Sequence, residues 1–459
     1  MSYSKFFIIL LLATFSFSCQ ENEAPTVDPS SNDATNQWIL NVMDEVYLWL
    51  DDLGTPIAEN SDPEDYFEAL LFRPTDRFSV IYPDYQELIN ALSGVNLEAG
   101  YEFNLYRENP TSDNLIAEVS YIKKNSPASN VDLQRGDVIN KINGTLITVS
   151  NYQQLLGEID GMHTLSYLRY NEDSQGFIAK PDVTLTAVQL AENPNFLDTI
   201  YTINEEKIGY VVYHFFAPGP SENSTAYDDE MDAIFGKFKA EGIDHLIVDF
   251  RYNSGGYVSS AVNLASLIAP GVGSTSIFSK TKYNQYLMDN VERLRNVQTP
   301  FIPKAQNLGN TLEGNRVYIL TSTRTASASE LIINGLKPYM DVYLIGDQTT
   351  GKNVGSIAFQ DDENELNEYG ILPIVSQSFN SLDQSDYTSG FAPNITLKES
   401  QERLRPFGDI NELLLRTAIR QITGIPSGAR FQQLERRDVG SSIDGKIRSG
   451  VMIENPILK

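Results

Sequence analysis

The sequence predicts a multidomain α/β chain: a small helical unit, then a compact sandwich of short strands, then a larger layer in which parallel strands alternate with helices. Three observations carry this. The chain is 459 residues long, which at roughly 150 residues per domain leaves room for about three. Its hydrophobic fraction is 41%, enough for several cores and too high for a chain disordered throughout. The spacing of apolar residues also changes twice along the chain, from a helical period to short strands broken by turns, and then to strand–helix alternation.

After Lys5, residues 6–15 form an almost unbroken apolar run. Ten residues of helix span roughly 15 Å, about half a bilayer, so the run reads as the core of a signal peptide and not as a membrane anchor. The small Ser18 precedes Cys19, the arrangement of a bacterial lipoprotein signal, with Ser16 where such signals usually carry Leu. Residues 1–18 are therefore expected to be removed and Cys19 to carry lipid; the alternative is a plain secretory signal with an incidental cysteine. Residues 19–36 hold almost no bulky apolar side chain and read as a disordered tether. The acidic start of this tether resembles the export signal of Bacteroidetes-type surface lipoproteins, which implies an outer-membrane or cell-surface location, the periplasmic face remaining possible.

Residues 37–84 read as the N-terminal helical domain. Trp38, Ile39, Val42, Val46, Trp49 and Leu50 follow the spacing of one helix face, and Asp62-Pro63 opens a second short helix. Over 85–192 the pattern is of strands at 115–122, 138–142, 165–170 and 183–190, with a short helix from Ser126-Pro127-Ala128 and a hairpin turn at Asn143-Gly144. Over 193–425 the strands 208–213, 245–250, 317–321 and 342–345 are short, apolar and β-branched or aromatic, as buried parallel strands are. Helices over 227–240, 258–268 and 326–336 lie between them, and one near 411–422 closes the layer. The tail, 426–459, is weakly patterned.

Charge and composition exclude several functions. Asp and Glu number 61 against 34 Lys and Arg, a formal charge of -27, so the chain repels phosphate backbones and nucleic acid is not expected as a partner. One cysteine allows no intramolecular disulfide and no thiolate metal cluster. The three histidines, His163, His214 and His245, form no H-E-x-x-H, and no metal or other cofactor is implied. His214 and His245 lie in or beside strands and read as packing residues.

Three stretches could carry chemistry. Arg324-Thr-Ala-Ser-Ala-Ser-Glu330 lies between a strand and a helix. A serine there sits at the positive end of the helix, where free N–H groups can hold an oxyanion; the bland reading is a capping box, Ser327-x-x-Glu330. Gly346-Asp-Gln-Thr-Thr-Gly-Lys-Asn353 nearly matches a phosphate-binding loop, but Asn353 stands where a hydroxyl should bind magnesium, and 354–360 look extended where a helix should begin. Lys352 could instead act as general base toward a serine, the Ser–Lys variant of the catalytic triad. That requires its pKa to fall by roughly 3 units, or about 4 kcal/mol. The chain's negative charge opposes the fall, so a catalytic Lys352 must be desolvated among apolar groups. Asp249-Phe-Arg-Tyr-Asn-Ser-Gly-Gly256 follows a strand, and its paired glycines allow backbone to approach a ligand closely.

Taken together, D-x-R-x-N-x-G-G at 249–256, T-A-S-A-S-E at 325–330 and Gly351-Lys352 resemble the C-terminal processing peptidases, or tail-specific proteases, a serine peptidase family. The resemblance implies Ser327 as nucleophile, Lys352 as base, and an oxyanion hole from the N–H groups of Ala328 and Gly256. It implies a PDZ-like domain over 85–192, carried by Ser126-Pro-Ala, Arg135-Gly-Asp-Val-Ile and Ile142-Asn-Gly. Gly100, Tyr101, Glu102 and Phe103 would form the loop that holds a peptide carboxylate, the peptide adding as a strand. The core would be crotonase- or ClpP-like, an α/β serine peptidase domain over 193–425. Asp76-Arg-Phe-Ser79, Gly390-Phe-Ala-Pro-Asn394 and Gly408-Asp409 resemble further family segments. Two positions depart: Ser356 stands where many relatives carry a Gln that orients the lysine, and Pro338 where some carry Asp. Ser356 is kept as the third member, accepting from Lys352. The expectation is an exported serine endopeptidase acting on unstructured or C-terminal segments of proteins. The rival is a catalytically inactive peptide- or ligand-binding lipoprotein on the same fold.

Overall fold

The computed structural model describes residues 28–425, 434 and 436–454; the signal peptide, Cys19 and the first part of the tether lie outside the described residues. The central feature is a six-stranded sheet in the order Asn195–Ile203, Glu206–Tyr213, His245–Asp249, Arg316–Thr321, Asp341–Gly346, Ile395–Thr396. The first pair is antiparallel and the others parallel. His245–Asp249 is buried along its whole length, because both faces are covered. Helices Ala226–Glu241, Val258–Ile268 and Ala328–Leu336 pack one face, and Leu413–Thr423 the other. Parallel strands place the turns that leave their C-terminal ends at one edge of this layer, and the motifs of the previous section lie in those turns, the one carrying Lys352 leading into strand Val354–Ser356 instead of a helix.

A second six-stranded sheet runs Gly256–Tyr257, Met452–Ile453, Val354–Ser356, Ile374–Phe379, Ile277–Tyr283, Val297–Pro300. It holds the residues that follow both glycine turns. The segment read as a weakly patterned tail thus contributes an internal strand, Met452–Ile453, parallel to a neighbour on each side.

The sandwich expected over 85–192 is one eight-stranded sheet, (438–441)-(101–107)-(115–122)-(138–142)-(162–171)-(176–179) along its path, with two further strands paired onto it. It curls around its own core, in which Phe103, Leu115, Val119, Ile139, Leu165 and Leu185 are buried, because short, strongly twisted strands close on themselves. The strand expected at 183–190 is two: Val183–Thr186 pairs with 162–171, whereas Val188–Ala191 pairs with Val95–Glu98.

Two boundaries at the N-terminal end also differ. Helix Asn32–Val46 begins inside the segment read as tether, capped by Ser31. Its polar Asn36 is wholly buried and donates to the carbonyls of Glu59 and Ser61, so polarity there serves packing, not solvation. The helical unit is also not free-standing. Leu48 N donates to Ile374 O, Val80–Tyr82 pairs with Gly370–Leu372, and Ile371 enters the helices' own core. No helix of the described residues is long and apolar enough to cross a membrane.

Candidate active site

The site is assembled from three turns. The first leaves strand His245–Asp249. Asp249 accepts from the Arg251 guanidinium, which also binds Glu399 and Glu412, fixing the turn from beneath. Asn253 then closes it, its Oδ1 accepting from Gly255 N and its Nδ2 donating to Tyr213 O. The turn ends at Gly256, with φ of 130°. A Cβ there would lie 2.1 Å from Phe216 O, so only glycine lets the strand pass this close.

The second turn leaves Arg316–Thr321 and ends at Ser327, ahead of helix Ala328–Leu336. Thr325 Oγ1 donates to Phe250 O, Ala326 N and Ser329 Oγ to Asn253 O, so the first turn templates the second. Ser327 has φ 61° and ψ −115°, a conformation that costs a non-glycine residue about 1–3 kcal/mol. Strained nucleophiles on sharp strand-to-helix turns show this signature, because the turn pushes the hydroxyl out at the helix N-terminus. Ser327 Oγ is buried and has no hydrogen-bond partner among the described residues. Ala328 is the first residue of the helix, so its N–H has no intrahelical acceptor.

The third turn carries Lys352. Its side chain is fully buried, and its ammonium position lies 4.6 Å above the ring of Phe78. Burial lowers its pKa from 10.5 to about 7, against the upward pull of the Asp76 and Glu330 carboxylates and with a smaller push from Arg77. This is the desolvated environment that a neutral amine requires. Lys352 Nζ donates to Gly450 O at 2.6 Å. Ser356 is equally buried, but its hydroxyl has no partner among the described residues. The group that accepts from Lys352 is thus a backbone carbonyl and not Ser356, which corrects the expectation of a third member engaged with the lysine.

Sequence reasoning read Glu330 only as a helix cap. Its buried carboxylate accepts from Ser327 N at 2.8 Å, Lys352 N at 2.8 Å, Gly351 N at 2.7 Å and Thr349 Oγ1 at 2.6 Å. One side chain therefore ties the serine turn to the lysine turn. Its place in T-A-S-A-S-E was visible, but its second set of donors was not. Phe78 lies in Asp76-Arg-Phe-Ser79, a segment whose sequence marks no role for the ring, and Gly450 and Val451 carry no sequence signal.

Gly256 N, one of the two expected oxyanion donors, is itself engaged, donating to Val451 O at 2.6 Å. A Cβ on Gly255 would stand 2.4 Å from Val451 O and 3.0 Å from Ser327 Oγ, so that carbonyl and the serine hydroxyl face a common point. Of the segment Gly100–Phe103, expected as a loop, residues 101–103 open strand Tyr101–Arg107 of the other sheet. Gly100 has φ 86°, and Ser126 Cβ fills the space where its own Cβ would be. Tyr101 OH meets His163 Nε2 at 3.1 Å, Glu102 pairs with Lys123 and Lys446, and Phe103 N donates to Ser442 Oγ. These residues line a groove of about 660 Å³ together with Leu156 and Ile159.

Residues 207–397 match Peptidase family S41, and residues 34–80 match the Peptidase S41 N-terminal domain. The chain belongs to the S41 family, the C-terminal processing peptidases. This S41 chain is 22% identical over 278 residues to a protein of Staphylococcus aureus strain COL designated a CtpA-like serine protease, 60% of this chain and 48% of that one. A Staphylococcus saprophyticus protein of the same designation is 22% identical over 317 residues, 68% of this chain and 57% of its own length. The chain spans about half the length of the curated relatives it matches. Among solved structures, an S41 protease from Bacteroides fragilis NCTC 9343 is 29% identical with a TM-score of 0.72, covering 85% of this chain and 98% of that one.

Proposed function

We propose that the chain is an exported, lipid-anchored serine endopeptidase of the C-terminal processing type, with Ser327 as nucleophile and Lys352 as general base. The observation that carries this reading is the buried Lys352, its pKa near 7, on a loop tied through Glu330 to the strained turn of Ser327. Neutral Lys352 Nζ takes the proton as Ser327 Oγ attacks a peptide carbonyl carbon. The N–H groups of Ala328 and Gly256 hold the negative oxygen. The lysine then protonates the leaving amine, and water, deprotonated by the same amine, hydrolyses the acyl ester. No metal or cofactor takes part in these steps.

Residues 85–192 act in this reading as a PDZ-type domain, with Gly100–Phe103 as the carboxylate-holding segment and strand Tyr101–Arg107 as the strand to which an extended segment adds, on the side where Asp438–Ser441 pairs. Its partners are protein or peptide substrates with unstructured or C-terminal segments, and lipid on Cys19 holds the chain at the outer membrane or cell surface. The test is degradation of an unfolded protein such as casein by wild type, Ser327→Ala and Lys352→Ala. Cleavage by wild type alone, with both variants folded, is the expected result. A second reading, a capture protein without turnover, draws on the Ser327 and Ser356 hydroxyls, which have no hydrogen-bond partner among the described residues; wild type that binds casein and leaves it intact would establish it in place of the first.

A further inference from the structure

Residues 438–454 run across both surfaces that the proposed function assigns to peptide, the Tyr101–Arg107 strand and the Ser327–Lys352 cleft. Strand Asp438–Ser441 pairs antiparallel with Tyr101–Arg107, with Asp438 opposite Tyr106 and Ser441 opposite Asn104. It therefore runs toward the Gly100–Phe103 loop, the direction an added peptide strand would take. Val439 packs on the core of that sheet. Ser442 Oγ then takes the N–H of Phe103, a donor the carboxylate loop would offer a ligand.

The segment next crosses to the core. Lys446 binds Glu98 and Glu102, Arg448 binds Glu192, and Asp444 binds Arg324. All of these partners are buried or nearly so, and charge-assisted pairs of this kind hold position firmly. Beyond them, Gly450 O takes Lys352 Nζ and Val451 O takes Gly256 N. Met452–Ile453 fills the gap between Gly256–Tyr257 and Val354–Ser356, two strands that this insertion alone joins in the sheet order. The cleft walls thus hydrogen-bond to the segment's backbone as they would to an extended substrate. Meanwhile the lysine is held on a carbonyl, and the serine hydroxyl has no partner among the described residues.

We infer that residues 438–454 are an intramolecular occupant of both peptide-binding surfaces, a strap that holds the resting enzyme closed until a protein substrate displaces it. The inference rests on the Ser327–Lys352 reading for what is blocked, and on contacts alone for what does the blocking. A tethered occupant competes at the high effective concentration of an intramolecular ligand, so an incoming peptide must engage both surfaces to displace it.

The test is a reversible lock in the full chain. In a Cys19→Ser background, Asn104→Cys with Ser441→Cys places a cysteine pair across one register position of the strap. Casein hydrolysis is compared before and after reduction, and hydrogen exchange of amides 438–454 is followed in wild type as casein is added. Hydrolysis at least about tenfold slower in the oxidised form, and exchange in 438–454 that rises with casein, are expected. Asp444→Lys, which sets a cation against Arg324 outside the catalytic groups, is expected to raise the rate several-fold. Equal rates in the oxidised and reduced forms, or exchange unmoved by saturating casein, would overturn the strap while leaving the peptidase reading intact. Rising exchange without cleavage by any form removes the peptidase reading and leaves the strap as the cover of a peptide-capture site.

Discussion

The pH dependence of turnover follows from one side chain. A lysine of pKa 10.5 is neutral in about one molecule in 3,000 at pH 7, whereas one of pKa about 7 is neutral in about half. Burial of Lys352 therefore raises the population of competent base by roughly a thousandfold or more, equivalent to about 4 kcal/mol. The expected profile of kcat/KM on a fluorogenic peptide has an acid limb with a midpoint near pH 7 and a plateau above pH 8. Lys352→Arg keeps the cation but cannot give up its proton at any of these pH values, so it should be inactive across the profile. The same shift affects stability. The unfolded chain holds the extra proton between about pH 7 and 10.5, so stability gains from Lys352 as pH rises through that window. Below pH 7 both states are protonated, and the full cost of burying the ammonium is present. A limb near pH 10, or activity retained by Lys352→Arg, would refute the assignment of a neutral lysine as base.

Other substitutions have directions fixed by the geometry. Glu330→Gln replaces an acceptor of four hydrogen bonds with a group that carries its own donors, and should cost about 2–4 kcal/mol in urea unfolding together with most of the activity. Gly256→Ala forces a Cβ to within 2.1 Å of Phe216 O at a positive φ, and should abolish turnover even in chains that circular dichroism finds folded. Arg251→Met strips the buried carboxylates of Asp249, Glu399 and Glu412 of their shared cation and should destabilise by about 3–5 kcal/mol, read from thermal unfolding. Burial pushes Glu399 up, but Arg135 and Arg251 outweigh it and hold its pKa at about 2. Its contribution is complete above pH 4.5 and disappears as pH falls toward 2, so acid unfolding of wild type should steepen in that window and flatten in Arg251→Met.

Much of the layered core was legible because its strands are buried on both faces and so read as short apolar runs; His245–Asp249 and helix Val258–Ile268 lie where the pattern put them. The start of the helix after Ser327 moved from 326 to 328 because Ser327 takes a positive φ, a choice imposed by tertiary contacts with the first turn and invisible to periodicity. The strand expected at 183–190 failed differently. The alternation of Val183, Leu185 and Ala187 changes phase at Val188, where two apolar residues are adjacent, and the partner strand changes across that step, so one apolar run held two strands. The tail was missed because its strands span only Asp438–Ser441 and Met452–Ile453, too short for a period to show. At the site, the residue types of Ser327, Lys352, Ala328 and Gly256 stood out in their motifs. The acceptor on Lys352 could not, since it is a peptide carbonyl of Gly450, and a backbone oxygen leaves no mark in a sequence.

The most direct measurement is covalent trapping of Ser327. The chain is treated with a serine-directed fluorophosphonate near pH 8, digested, and the adduct located by mass spectrometry in wild type, Ser327→Ala and Lys352→Ala. One adduct per chain on the peptide bearing Ser327, absent from Ser327→Ala and strongly slowed in Lys352→Ala, is the predicted result. A folded wild-type chain that takes no label, or takes it on another serine, would contradict a catalytic Ser327–Lys352 pair.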